Sequence, residues 1–178
     1  MKQKPAAWSY GTSGIGGVGH LAGEQFKAAA GVNITHVPYK GGAPAMVELL
    51  GGHIPVLFSS LGAAATHIKA GRIMPLAVTS AKRSSLLSET PTLAESGFAG
   101  LDASIWFGIV GPPGLPARVM DKLVPALNAV MREPEVQEAI RKEGYEPMLF
   151  TPAEMRLQIS QDLTRWGKTV KEANVTME

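Results

Sequence analysis

Apolar and polar positions follow two different rhythms along this chain. Short apolar runs over Trp8–Gly11, Asn33–Pro38, Ile54–Ser59 and Ile73–Thr79 read as buried strands. Between them, Val18–Ala30, Ala43–Leu50 and Leu61–Ala70 carry the spacing of helices. Gly31, Gly51 and Gly71 each stand just past a helix, where a left-handed residue closes the last turn. Strands and helices alternating at this spacing predict right-handed βαβ units and a parallel sheet. Ser104–Val110 reads as one more strand, leading into Gly111-Pro112-Pro113-Gly114, which no helix or central strand crosses. Beyond that boundary the period is helical. Pro116 takes the first position of a helix that shows Val119, Leu123, Leu127 and Val130 on one face, with Pro125 expected to kink it. Pro134–Lys142 is a second helix closed by Gly144, and Tyr145–Phe150 a short extended run. Thr151-Pro152-Ala153-Glu154 is a capping box. The helix it opens, Pro152–Lys171, carries Met155, Ile159, Leu163, Trp166 and Val170 on one side.

Composition sharpens the division. Of the 20 glycines, 16 precede position 111, whereas 13 charged residues precede it and 19 follow. The chain is therefore a Gly-rich α/β part followed by a charged helical part. At 178 residues, with 45% hydrophobic and 18% charged, it buries a sizeable core and is not intrinsically disordered. Net charge is only +2, with no basic block, so nucleic acid and anionic membrane are not expected as partners. The absence of cysteine excludes disulfides, thiolate metal sites and cysteine nucleophiles. No apolar run approaches the roughly 18 residues of a membrane span. Met1–Pro5 is basic, but Ala6–Tyr10 is too short and too polar for a secretory leader, so no export signal is expected within the chain.

The most informative stretch is Tyr10-Gly11-Thr12-Ser13-Gly14-Ile15-Gly16-Gly17-Val18-Gly19-His20, which follows a strand and opens a helix. Glycines and small hydroxyl residues let backbone N–H groups face an anion at a helix N-terminus. Gly14, Gly16 and Gly19 fit G-x-G-x-x-G, yet the next strand ends Thr35-His36-Val37-Pro38 without the acid a dinucleotide site requires. A carboxylate or other small anion is the favoured ligand, a purely structural turn the alternative, and no cofactor is implied. Tyr39-Lys40-Gly41-Gly42-Ala43 is a second strand-to-helix turn, and Phe58-Ser59-Ser60-Leu61-Gly62 a third, with Ser60 as helix cap and Ser59 as a possible ligand donor. Open parallel sheets bind ligands in crevices of this kind. His20, His36, His53 and His67 lack metal-ligand spacing and read as isolated residues; His20 alone lies one turn into the anion-binding helix. No nucleophile–base set, G-x-S-x-G or carboxylate pair accompanies the turns, which points to binding without catalysis.

The residues Tyr-Gly-Thr-Ser-Gly with His-Leu-Ala-Gly-Glu-Gln-Phe-Lys (10–14, 20–27), Thr-His-Val-Pro-Tyr-Lys-Gly-Gly-Ala-Pro-Ala (35–45) and Trp-Phe-Gly-Ile-Val-Gly-Pro-Pro-Gly (106–114) carry a resemblance. So do His-Ile-Lys-Ala-Gly-Arg-Ile (67–73), Leu-Ala-Val-Thr-Ser-Ala-Lys-Arg (76–83) and Pro-Thr-Leu-Ala-Glu-Ser-Gly (91–97). From about Trp8 onward the chain resembles the Bug-type solute receptors, the extracytoplasmic binding subunits of tripartite tricarboxylate transporters. The resemblance implies an α/β fold of the periplasmic-binding-protein type (type II). Residues 6–106 would form the parallel-sheet, ligand-binding second lobe, and residues 107–178 a hinge strand and C-terminal helices belonging to an incomplete first lobe. It implies a small organic di- or tricarboxylate as ligand, membrane transporter subunits as partners and a periplasmic location. The ligand would meet Thr12, Ser13 and Gly14 of the first turn, Tyr39, Gly41, Gly42 and Ala43 of the second, and Ser59 of the third; His20 joins these as a candidate ligand-binding residue through its own place one turn into the helix. Many members carry Asp where this chain has Ser59, which argues against an amino-acid ligand. Against full-length members the chain is expected to be truncated at its N-terminus. The competing expectations are a fragment that self-associates, as a homo-oligomer, without binding solute, and a small α/β enzyme taking a nucleotide or phosphate.

Overall fold

The computed structural model describes residues 8–176. It divides into two compact units. One runs to Ile105 and takes in the chain from Thr164 onward, and the other is Trp106–Leu163.

The first unit is built on strand β1 (Ser9–Thr12) and strand β2 (Thr35–Pro38), which pair in parallel with Tyr10 opposite His36. Helix α1 (Val18–Ala30) makes the crossover between them. Gly31 ends it in the left-handed conformation at φ 63°. Helices α2 (Gly42–Leu50) and α3 (Leu61–Lys69) follow. Tyr10 and Thr12 are the largest fully buried side chains, and Leu21, Ala22, Ile34, Ala45, Met46, Ile54 and Ala64 complete the core around them. Gly23 of α1 lies against the Tyr10 ring, where a Cβ would overlap the ring carbons.

The predicted strand Ile54–Ser59 is reduced to a single parallel bridge, Gly11 with Leu57. The Gly11 amide donates to the Val56 carbonyl at 2.9 Å, and the Phe58 amide to the Gly11 carbonyl at 3.1 Å. Pro55 faces away from β1 and has no N–H to offer a further strand on that side. The strand expected over Ile73–Thr79 is absent. Pro75 interrupts it, Met74 and Leu76 are exposed, and only Val78 pairs, with Thr92. Ser104–Val110 is likewise no strand, and no backbone among the described residues forms a ladder with it. Gly51 is right-handed, and Gly52, at φ 74°, takes the left-handed position instead.

The second unit holds α4 (Ala117–Arg132), α5 (Pro134–Lys142) and the first part of α6 (Pro152–Glu172). Pro116 caps α4 rather than occupying its first turn, and Pro125 lies inside it. The capping box of α6 forms as the sequence predicts. The Thr151 amide donates to the Glu154 carboxylate at 2.7 Å, and the Glu154 amide to Thr151 Oγ1 at 3.2 Å. The Trp106 indole N–H donates to Asp162 at 2.6 Å.

Candidate functional site

Parallel pairing puts the three strand-to-helix turns at one edge. Gly11 pairs with Val37 on one side and Leu57 on the other. Two residues further along each segment stand Ser13, Tyr39 and Ser59, at the same level of the sheet. Main-chain bonds tie the first two turns together: the Tyr39 amide donates to the Thr12 carbonyl at 3.0 Å and the Gly41 amide to the Ser13 carbonyl at 3.1 Å. The third turn is held close by packing, since Gly19 of α1 approaches the Phe58 carbonyl. Gly17, Gly41 and Ser60 stand at the cap positions before α1, α2 and α3, and none of them caps its helix through a side chain. Three positive helix ends therefore open toward one edge without a capping side chain to answer them. Gly41, at φ 112°, makes a turn that L-residues adopt only under strain.

The sequence-predicted residues separate by placement. Ser13 and Ser59 are exposed, and Tyr39, Gly41 and Gly42 half-buried, with Ala43 exposed at the start of α2. Ser60 stands at the cap position, while the Ser59 hydroxyl donates to the Ser60 carbonyl at 3.2 Å. Thr12 points inward and is 1% exposed. Its hydroxyl donates to the Gly14 carbonyl at 3.0 Å, accepts from the Gly14 amide at 3.3 Å and meets His36 Nε2 at 2.7 Å. His20 lies beneath the first turn, 7% exposed, where its Nδ1 accepts from the Gly16 amide at 3.1 Å.

Behind this turn is a polar cluster that the sequence reading missed. The His20 and His36 rings stack with centroids 3.8 Å apart and planes within 11°. His36 also stacks on Tyr10, at 5.0 Å. Glu24 accepts from the Tyr10 hydroxyl at 2.6 Å and from the Lys27 ammonium at 2.8 Å. Burial lowers the basicity of both imidazoles: His20 lies below its ordinary value, and His36 is pushed down to about 4, with repulsion from His20 adding to the effect. Burial opposes ionisation of Glu24, but bonds from Lys27 and Tyr10 outweigh it and hold the carboxyl below its ordinary range. Burial, together with Glu24, raises the Tyr10 phenol, which stays a donor. A pocket of about 320 Å³ adjoins the cluster, lined by Ile15, His20, Glu24, Lys27, His36 and residues 173–176. Two signals for this cluster are present in the sequence: His20, Glu24 and Lys27 at one-turn spacing on α1, and an aromatic and a histidine at matching positions of adjacent strands.

A parallel α/β lobe whose turns and helix N-termini meet at one edge is the architecture of periplasmic solute-binding proteins. A protein described as a periplasmic transporter superposes with a TM-score of 0.87 at 36% identity, covering 99% of this chain and 59% of its own. An R. palustris protein solved with adipate superposes with a TM-score of 0.86 at 36% identity, covering 98% of this chain and 58% of its own. Residues 1–175 match the tripartite tricarboxylate transporter family receptor, TctC, and the chain belongs to that family. Among curated relatives, protein BugT of Bordetella pertussis is 31% identical over 177 residues, 99% of this chain and 54% of its own. The UPF0065 protein of the clcB–clcD intergenic region of Pseudomonas knackmussii is 31% identical over 159 residues, 89% of this chain and 94% of its own. The chain spans about half the length of most curated relatives it matches.

Proposed function

We propose that this chain is a solute-binding module of a tripartite tricarboxylate transporter, that it holds a small organic di- or tricarboxylate, and that it does so without catalysis. The observation that carries the reading is the meeting of three helix N-termini, none with a side-chain cap, at the level of Ser13, Tyr39 and Ser59. That edge favours negative charge and offers hydroxyl donors. The adipate-bound neighbour supports the ligand class. Periplasmic neighbours support a periplasmic site of action, with membrane transporter subunits as partners. Residues 6–106 are the ligand-binding lobe in this reading, and residues 107–178 belong to its companion. A second copy of the chain is the further partner.

Calorimetric titration with adipate, malate, succinate and citrate tests the reading. At least one is expected to bind, and Ser13→Ala to weaken it by about 1 kcal/mol, the scale of one donor lost to a charged group. Gly14→Val, at φ 151°, is expected to weaken it further. A chain that binds none of the four, or binds equally well after both substitutions, would overturn the assignment.

A further inference from the structure

The Gly-rich turn is held from behind by two imidazoles, and the contact made by His20 depends on its protonation state. The Gly16 amide donates to His20 Nδ1 at 3.1 Å, so that nitrogen must carry a lone pair and the ring must be neutral. His36 Nε2 meets the Thr12 hydroxyl at 2.7 Å, and the same hydroxyl bonds both the amide and the carbonyl of Gly14. One ring therefore grips the turn directly and the other grips it through Thr12. Their stacking at 3.8 Å couples them, because two cations at that spacing repel. We propose that His20 and His36 are positioning residues that latch the turn Thr12–Gly17 in its binding shape, and that protonation of His20 at Nδ1 releases it. This rests on the turn being the carboxylate site.

The surroundings of the pair set the balance. On α1, Glu24 lies 3.8 Å from His20 Nε2 and favours a cation, but it is already engaged by Tyr10 of β1 and by Lys27. Lys27 opposes a second positive charge, and so does a protonated His36 on β2. The segment 173–176 that closes the pocket contributes Asn174 and Thr176, which carry no charge. Burial of both rings agrees with a latch that is closed at neutral pH and opens on acidification. The result is a receptor whose hold on an anion weakens in acid through its own loop, in addition to any protonation of the ligand.

Backbone NMR of the full chain tests this. The Gly16 amide is expected to lose protection against exchange, roughly tenfold, as pH falls from about 7.5 to about 5. His20→Leu removes the acceptor and should give the exposed rate at every pH. His20→Asn supplies a non-titrating oxygen near the Nδ1 position, so it should restore protection relative to His20→Leu and abolish the pH step. Adipate titrations run in parallel should lose affinity with the same midpoint in the natural chain, and His20→Asn subtracts the ligand's own protonation. A Gly16 amide indifferent to pH in a chain that binds adipate overturns the latch alone. A Gly16 step in a chain that takes none of the four acids sinks the receptor reading and leaves the latch standing. Failure of His20→Asn to rescue, in a chain whose circular dichroism matches the natural one, also overturns it.

Discussion

His36 and His20 make the stability of the first unit depend on pH, with a sign that the structure fixes. Both rings are neutral in the folded chain, His36 down to about 4 against an ordinary value of 6.5. As pH falls below 6.5 the unfolded chain takes up protons that the folded one refuses, so stability is complete above that value and declines toward about 4. Glu24, held below its ordinary 4.5, adds a loss in the same direction at lower pH, when its bonds to Lys27 and Tyr10 fail. After discounting for the partial exposure of His36, its shift accounts for on the order of 1–2 kcal/mol between pH 6.5 and 4, and His20 acts in the same direction. Urea midpoints should fall across that window, and they should fall less in the double variant His20→Asn/His36→Gln. An unchanged slope in the variant would assign the pH dependence to other groups. The sequence alone marks His20 through its place after the Gly-rich turn, but it presents His36 as an isolated strand residue. The pairing of the two rings depends on the register of β1 with β2, and no local spacing encodes that register.

At the scale of elements, the helices follow the sequence closely because caps and periodicity are local. Residues 18–30 and 134–142 fall where the apolar spacing puts them, and Thr151 with Glu154 closes the α6 box. Thr151→Ala should therefore lower stability by about 1 kcal/mol, read as a shift of the thermal midpoint. The strands follow less well. An apolar run predicts burial, but a strand also needs a partner backbone with free donors, and Pro55 and Pro75 withhold theirs from two of the runs. The packing of α1 on β1 was also out of reach of pattern reading. Gly23 looks like an ordinary helix weakness in sequence, yet it is the space occupied by the Tyr10 ring. Gly23→Ala gains helix propensity of about 1 kcal/mol in an exposed helix. Here the added methyl meets a ring that is fully buried and bonded to Glu24, and the expected outcome is a net loss of about 1–3 kcal/mol. A thermal midpoint raised by this substitution would refute the close packing of Tyr10 on α1.

The whole molecule is governed by what the second unit leaves in water. From Trp106 to Leu163 only Asp162 is buried, and α4 and α5 bury no residue at all. Phe107 is 75% exposed, Val110 77% and Leu163 72%, with Ile109, Val130 and Leu157 also open. Removing one such side chain from water is worth roughly 1.5–3 kcal/mol. Covering several would contribute as much as the net stability of an ordinary domain, so a chain left alone in solution gains strongly from association. A second copy supplies the same apolar faces, and a two-fold axis lets each stripe pack on its equivalent. The expected result in light scattering is a mass above 18.8 kDa that rises with concentration. Leu163→Glu places a charge on an apolar side chain of α6 that is 72% exposed and should shift the population toward the single chain, while far-ultraviolet circular dichroism keeps its helical signal. A mass fixed near 18.8 kDa across the micromolar range would show that these faces tolerate water, and would remove the second copy from the proposed partners of this chain.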